Sequence, residues 1–101
     1  MKTDKINNRG RFERKRLPDP MTYYSMELER LRPTGRHASA RCPFHNDTHP
    51  SLAVNIVTGA YRCHVPACGA QGRGVLDFHM ARYDLSFIDA AKELGAWSST
   101  S

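Results

Sequence analysis

Four residues in the middle of the chain carry the chemistry that this sequence can support. Cys42 and His45 are separated by two residues, Cys63 and Cys68 by four, and seventeen residues lie between the two pairs. Three thiolates and one imidazole suit a tetrahedral zinc ion, and a site in which protein fills all four positions is structural rather than catalytic. The spacing therefore predicts one structural zinc ion, whose binding can contribute on the order of 10 kcal/mol to folding.

The other histidines are interpreted separately. His49 and His64 lie close enough to the two pairs to compete as ligands, and the sequence leaves that choice open. His79 falls on the apolar side of a predicted helix and is interpreted as a core residue. His37 is equally compatible with a surface position and with a nucleic-acid contact. The alternative to a metal site is three buried cysteines that pack as small apolar residues.

The elements that must position the ligands are predicted from periodicity. Alternating apolar residues predict a strand over residues 51–57 and an antiparallel return over residues 60–64. On the returning strand, Tyr61 and Cys63 share one face and Arg62 points to the other. This hairpin spans the interval between the ligand pairs and brings them face to face, as is typical of a zinc ribbon.

Further elements are predicted on both sides of the hairpin. Asp19 is suited to cap a helix that has Pro20 at its first position. One helical turn followed by a strand is expected over residues 21–31, with a partner strand over residues 36–41. Residues 69–74 are glycine-rich and are predicted to form a loop.

Two helices are predicted after that loop. The first covers residues 75–83, and the second begins at Ser86, which forms a capping-box pattern with Asp89, and ends at Gly95. The buried stripe of the first helix is predicted to comprise Val75, Leu76, His79, Met80 and Tyr83. That of the second is predicted to comprise Phe87, Ala90, Ala91 and Leu94. The predicted fold class is α+β: a zinc ribbon with a small antiparallel β-sheet followed by two C-terminal helices.

The formal net charge of +5 is concentrated at one end of the chain. Residues 1–16 contain seven basic and two acidic side chains, whereas the remaining residues are balanced. A basic arm is a common layout for binding a phosphate backbone, and a solvated tail explains the same pattern equally well. The predicted organisation is a disordered basic arm (1–18), a zinc-ribbon domain (19–97) and a frayed tail (98–101).

Length and composition exclude several classes of protein. A chain of 101 residues has room for one small domain. No apolar run is long enough to span a membrane, and the first residues lack a signal-peptide core. We therefore expect a cytoplasmic protein without a membrane partner. Three cysteines, an odd number, argue against a disulfide framework.

A series of motifs follows a fixed order along the chain. In sequence they are Cys42-Pro43-Phe44-His45, His49-Pro50-Ser51-Leu52, Tyr61-Arg62-Cys63 and Cys68-Gly69-Ala70-Gln71-Gly72. In type and order they resemble the N-terminal, CHC2-type zinc-binding domain of bacterial DnaG-type primases, over about residues 23–95. Three features depart from that family: the last two cysteines are separated by four residues instead of two, the basic arm replaces the family's upstream helix, and the chain stops before any catalytic domain.

The resemblance implies a role in template recognition. In that family this domain engages the template strand, and polymerase chemistry belongs to a separate domain built on clustered carboxylates. The ten acidic residues here are scattered, so we expect no catalytic residue and no enzyme activity from the chain alone. The expected function is that of a stand-alone single-stranded DNA-binding protein in DNA replication or in DNA transfer by a mobile element. The alternatives are an interaction adaptor or a trans-acting primase subunit that docks on a primase, helicase or polymerase.

Single strands bind where basic side chains run beside aromatic faces. The candidate contacts are Arg36, Arg41, Phe44, Tyr61, Arg62 and Arg73. Because Arg62 and Tyr61 point to opposite faces of one strand, they cannot both serve one flat surface. Tyr61 is equally well interpreted as a hydrophobic lid over the metal site.

Overall fold

The computed structural model describes residues 10–46 and 49–99. Within them the strands are β1 (Arg11–Phe12), β2 (Arg32–Thr34), β3 (His37–Ala40), β4 (Leu52–Asn55), β5 (Tyr61–Cys63), β6 (Gln71–Gly72) and β7 (Trp97–Ser98). The helices are α1 (Pro20–Glu27), α2 (Val75–Tyr83) and α3 (Phe87–Glu93), preceded by a 3-10 turn at Arg14–Arg16. The predicted α+β class is confirmed, and one helix precedes the sheet. No helix in this part of the chain has the length and hydropathy of a membrane span.

Strands β2 to β6 form one antiparallel sheet in which spatial order follows chain order. One face is buried: Ala38 pairs with Val54 and Val54 with Tyr61, and all three are at most 5% exposed. Cys63 is buried on the same face, whereas Arg62 is exposed on the opposite one. The predicted alternation of the hairpin is therefore confirmed.

Helix α2 covers the buried face of the sheet through Phe78. This side chain is 0% exposed, and its ring centroid lies 5.1 Å from those of Tyr24 and Tyr61 and 5.3 Å from that of Phe44. The predicted stripe omitted Phe78 and included Tyr83, which is 44% exposed. The stripe was displaced around the helix because the aromatic residues that receive Phe78 come from distant parts of the chain.

The predicted start of α1 and the predicted bounds of α2 are confirmed, whereas the predicted length of α1 is wrong. Asp19 caps α1 through a hydrogen bond from the Thr22 N–H, and Pro20 is the first helical residue, as predicted. Helix α2 has the predicted bounds. Helix α1 extends over eight residues instead of one turn, because Tyr23 and Tyr24 are buried in the core. The strand predicted within residues 21–31 is therefore wrong, and the partner of β3 is β2 at Arg32–Thr34.

Two short strands correct the sequence prediction. The loop predicted over residues 69–74 contains β6, whose Gln71 pairs with Arg62. At the other end of the chain, Arg11 of β1 pairs with Ser98 of β7, and the ring centroids of Phe12 and Phe87 lie 5.1 Å apart.

This pairing of the chain ends corrects the prediction of disorder for residues 10–18 and of fraying at residue 98. The pairing of β1 with β7 holds both segments in place. The paired residues are more than eighty positions apart in sequence, so no local pattern predicts the pairing. The rest of the predicted arm, residues 1–9, and the last two residues lie outside the described part of the chain.

Candidate metal centre and nucleic-acid interface

The four predicted ligands converge at one end of the sheet. Cys42 and His45 lie in the loop that follows β3, Cys63 ends β5, and Cys68 lies in the loop before β6. The Sγ atoms of Cys42 and Cys68 are 3.7 Å apart, and Nε2 of His45 is 3.4 Å from Sγ of Cys63. All four ligand atoms lie within 4.8 Å of one another.

These distances fit a single tetrahedral ion. With Zn–S bonds of about 2.3 Å, two thiolates of a tetrahedral site stand about 3.8 Å apart. The observed 3.7 Å separation agrees with this value, and it is far longer than a disulfide bond. None of the three cysteines forms a disulfide bond, and the donor set is that of one structural zinc ion.

The long interval between the last two cysteines forms a tight turn. The backbone N–H groups of Cys68 and Gly69 both donate to the carbonyl of Val65. Gly69 then adopts φ +67°, a left-handed conformation that glycine enters without steric cost. The chain thereby turns back into β6, and the Cys63 N–H donates to the Ala70 carbonyl at 2.8 Å. The two extra residues are absorbed by this turn without separating the thiols.

Burial disfavours the charged thiolate of Cys42 in the absence of a metal ion. Burial raises the pKa of the Cys42 thiol to about 12, and the Cys63 and Cys68 thiols act in the same direction, against a backbone hydrogen bond from Phe44 that lowers it. The thiolate, however, is the form that binds metal. A divalent cation reverses the balance because it is the largest local charge and deprotonates a coordinating thiol.

The competing histidines lie outside the cluster. Among the described residues, the convergent group contains Cys42, His45, Cys63 and Cys68 and neither His49 nor His64. Both of those histidines are exposed. The long interval between Cys63 and Cys68 therefore does not bring His64 into the position of a ligand.

The six candidate nucleic-acid contacts separate into exposed and packed residues. The four arginines are exposed: Arg36, Arg41, Arg62 and Arg73. Tyr61 is 5% exposed and stacks on half-buried Phe44 with ring centroids 6.1 Å apart. Both rings also contact Phe78. The structure thus favours the interpretation of Tyr61 as a packing residue, and the same holds for Phe44.

The sheet also reveals a basic residue that the sequence analysis did not select. Arg32 of β2 pairs with Ser39, Ser39 with Ala53, and Ala53 with Arg62. Paired residues of an antiparallel sheet share a face, so Arg32 and Arg62 both lie on the exposed face, here called the open face. No local pattern identifies it, because all three residues of β2 are exposed and only the pairing of β2 with β3 places Arg32 on this face.

Arg73 lies elsewhere. It directly follows β6, and Gly74 separates it from α2. Its backbone N–H donates to the Asp77 carboxylate at 2.9 Å. Its neighbours are the first residues of that helix and the β4–β5 turn. The structure therefore separates Arg73 from the arginines of the open face.

Comparisons with known proteins point to one group. The sequence profile of the CHC2 zinc finger, a zinc ribbon of DnaG type, matches residues 24–100. The DNA primase of Escherichia coli (strain K12) is 39% identical over 67 residues, which are 66% of this chain and 11% of the relative. The DNA primase of Helicobacter pylori (strain J99) is 42% identical over 64 residues, 63% of this chain and 11% of the relative.

A solved structure supports the same comparison. The crystal structure of the Aquifex aeolicus primase, comprising zinc-binding and RNA polymerase domains, superimposes with a TM-score of 0.65 and 31% sequence identity. The match covers 77% of this chain and 18% of that one. The chain therefore spans only a small part of the length of these relatives.

Proposed function

The chain belongs to the CHC2 zinc-finger family, the zinc-ribbon domain of DnaG-type primases, and from this premise we propose that it binds single-stranded DNA across the open face of its sheet. In a primase system such contacts serve template recognition, during DNA replication or DNA transfer by a mobile element. The domain contributes DNA contacts rather than catalytic groups to such a system.

The row of residues across the open face is the observation that carries this proposal. It runs from Arg32 through Ser39 and Ala53 to Arg62. Neighbouring strands lie about 4.8 Å apart, so the two arginines stand on strands separated by about 14 Å. The side chains between them, Ser39 and Ala53, are small and partly exposed, so they leave room for a single strand to contact both arginines.

The charge of this face suits a phosphate backbone. None of the strands β2 to β6 contains an acidic residue. Arg36 and Arg41 flank the two ends of β3 and are both exposed. Lysine and arginine side chains bind DNA largely by neutralising phosphates and releasing counterions, and no carboxylate on these strands opposes that interaction.

The metal site supports the proposal because two of its ligands are directly preceded by arginines in the sequence. Arg41 directly precedes Cys42, and Arg62 directly precedes Cys63. An ion held by Cys42 and Cys63 fixes the ends of β3 and β5, and it thereby fixes the distance between Arg41 and Arg62. Because the aromatic candidates are packed in the core, the contacts are mainly to phosphate, so weak sequence preference is expected.

Fluorescence anisotropy of the zinc-loaded chain with a labelled single-stranded oligonucleotide tests this function. We expect Arg62→Ser and Arg32→Ser each to weaken binding and to lower the slope of log K against log salt concentration by about 0.7. The matched control is Arg82→Ser, which removes an exposed arginine from α2 and should leave the slope unchanged.

A variant without residues 1–9 completes the test, because it removes three basic residues and leaves β1 intact. Affinity that persists in this variant and depends on Arg62 supports binding by the open face. Affinity that disappears with the tail, or that falls equally in Arg82→Ser, would show a nonspecific polycation effect and refute the proposal.

A further inference from the structure

A second surface lies on the helix side of the molecule. It is a cleft of about 610 Å³ between the N-terminal segment, the β4–β5 turn and the starts of α2 and α3. Its apolar lining includes Phe12, Leu17, Val57, Leu76 and Phe87, and we call it the helix-side cleft. Its volume is within the range of specific binding pockets. None of the residues in the row across the open face lines it.

The apolar lining of this cleft is unusually accessible. Val57 is 65% exposed and Phe87 is 41% exposed. They are two of the four large apolar side chains that are exposed in the described part of the chain. Contiguous exposed apolar surface that is bordered by polar residues commonly marks an interaction site, and here both residues border the same concave surface.

The two acids and the two arginines that line the cleft differ in their interactions with the rest of the described chain. Its two acids accept backbone hydrogen bonds, Asp19 from Thr22 and Asp77 from Arg73. The guanidinium groups of Arg14 and Arg73 form no ion pair with any carboxylate of the described residues. Asp19 and Asp77 also lie at the starts of α1 and α2, where the helix dipole offsets a negative charge. The two guanidinium groups beside an apolar floor are therefore the charged groups left to pair with a ligand that combines carboxylates with apolar side chains.

We propose that the helix-side cleft binds an acidic, apolar segment of a partner protein. Carboxylates of the segment pair with Arg14 and Arg73, and its apolar side chains cover Val57 and Phe87. This inference goes beyond DNA binding and does not depend on it. It describes a docking surface for a protein that shares no lining residue with the row across the open face.

The aromatic lining favours a polypeptide over a nucleic acid as the occupant. The guanidinium of Arg14 lies over the Phe12 ring, 5.7 Å from its centroid, and Phe12 also contacts Phe87. Apart from Phe12, the lining contains one aromatic ring, that of Phe87, and its other apolar residues are aliphatic or proline. The cleft therefore lacks the series of aromatic faces on which successive bases stack. Leucine, valine and proline side chains instead suit the apolar side chains of a peptide that docks in a groove.

Binding of model peptides to the full, zinc-loaded chain tests the proposal. The probe is a short fluorescein-labelled peptide built from Asp, Leu and Phe, and the comparison peptides replace Asp by Lys, or Leu and Phe by Ser. We expect saturable binding of the first peptide only, weakened roughly tenfold by Arg73→Ser or Val57→Ser. The matched controls are Arg82→Ser and Met26→Ser, which change exposed residues outside the cleft and should bind as the unmodified chain does.

Three results would overturn the proposal. They are equal binding of the lysine peptide, equal weakening by the control variants, and displacement of the peptide by a single-stranded oligonucleotide. The last result would identify the cleft as a nucleic-acid site. Unchanged oligonucleotide affinity in Val57→Ser, together with lost peptide binding, would support two independent surfaces. If the chain bound no oligonucleotide, saturable peptide binding that is lost in Val57→Ser would still support the cleft proposal.

Discussion

At the scale of single residues, His79 shows how one buried side chain connects all three helices. It is 7% exposed, which confirms its interpretation as a core residue. Its Nδ1 lies 2.8 Å from the Tyr23 hydroxyl of α1, and its Nε2 lies 2.8 Å from a Glu93 carboxylate oxygen of α3. A carboxylate only accepts, so Nε2 carries the proton. Burial raises the pKa of Tyr23, which keeps its hydroxyl protonated as the donor to Nδ1.

The first prediction concerns this hydroxyl. Tyr23→Phe leaves a buried ring nitrogen of His79 without its donor, and we expect the free energy of unfolding to fall by about 1–3 kcal/mol. Urea denaturation of the zinc-loaded protein measures the change. The control is Tyr83→Phe, which removes a hydroxyl bonded to Glu27 from an exposed side chain and should cost about 0.5 kcal/mol or less. Equal losses of stability in both variants would show that the buried Tyr23–His79 hydrogen bond stabilises the fold no more than the exposed Tyr83–Glu27 hydrogen bond does.

At the scale of elements, α3 depends on its ends. It contains seven residues, and isolated helices shorter than about 12 residues are marginal in water. The Ser86 hydroxyl oxygen accepts the Asp89 N–H at 3.1 Å at its start. Gly95 takes φ +77° just beyond its end, and Ala90 and Ala91 are fully buried between these signals. The cap is therefore a substantial part of what stabilises so short a helix.

The second prediction concerns this cap. Ser86→Ala removes the acceptor for the Asp89 N–H, and we expect a loss of about 1 kcal/mol in stability. Ser86→Asp retains an acceptor at the same position and should stay close to the unmodified protein. Thermal denaturation followed by circular dichroism compares the three proteins. Destabilisation by the aspartate variant as large as that by alanine would contradict a capping role.

At the scale of the whole molecule, two long-range connections hold a small core together. The Cys/His cluster joins the loop after β3, the end of β5 and the loop before β6. The β1–β7 pairing joins the two chain ends beside α3. Domains of this size bury a limited fraction of their surface, so a metal ion supplies cross-linking that the apolar core does not.

The third prediction follows from that connection. Zinc binding contributes on the order of 10 kcal/mol in small zinc domains, a value comparable to the entire stability of a typical domain. Chelation with EDTA should therefore abolish the cooperative thermal transition, and Cys68→Ser should have the same effect. The matched variant is His64→Ser, which we expect to retain one equivalent of zinc by elemental analysis and a normal transition. Loss of zinc in His64→Ser would instead show that His64 is a ligand.

Features carried by neighbouring residues were determined by the sequence itself. The spacing within each Cys/His pair is a property of the sequence, and the bounds of α2 and the caps at Asp19 and Ser86 appear in the structure as predicted. The alternation around Arg62 also appears as predicted. Each depends on contacts within a few residues, where backbone geometry and residue type are sufficient.

Features that join distant segments were decided only by the tertiary structure. Arg32 shares a face with Arg62 because two intervening strands set the pairing. Phe78 became the centre of the core, and Tyr61 a packing residue, because aromatic side chains from three other segments meet there. Residues 10–18 are ordered because β1 finds its partner at the opposite end of the chain. In each case the deciding interaction lies far away in sequence, so no local pattern specifies it.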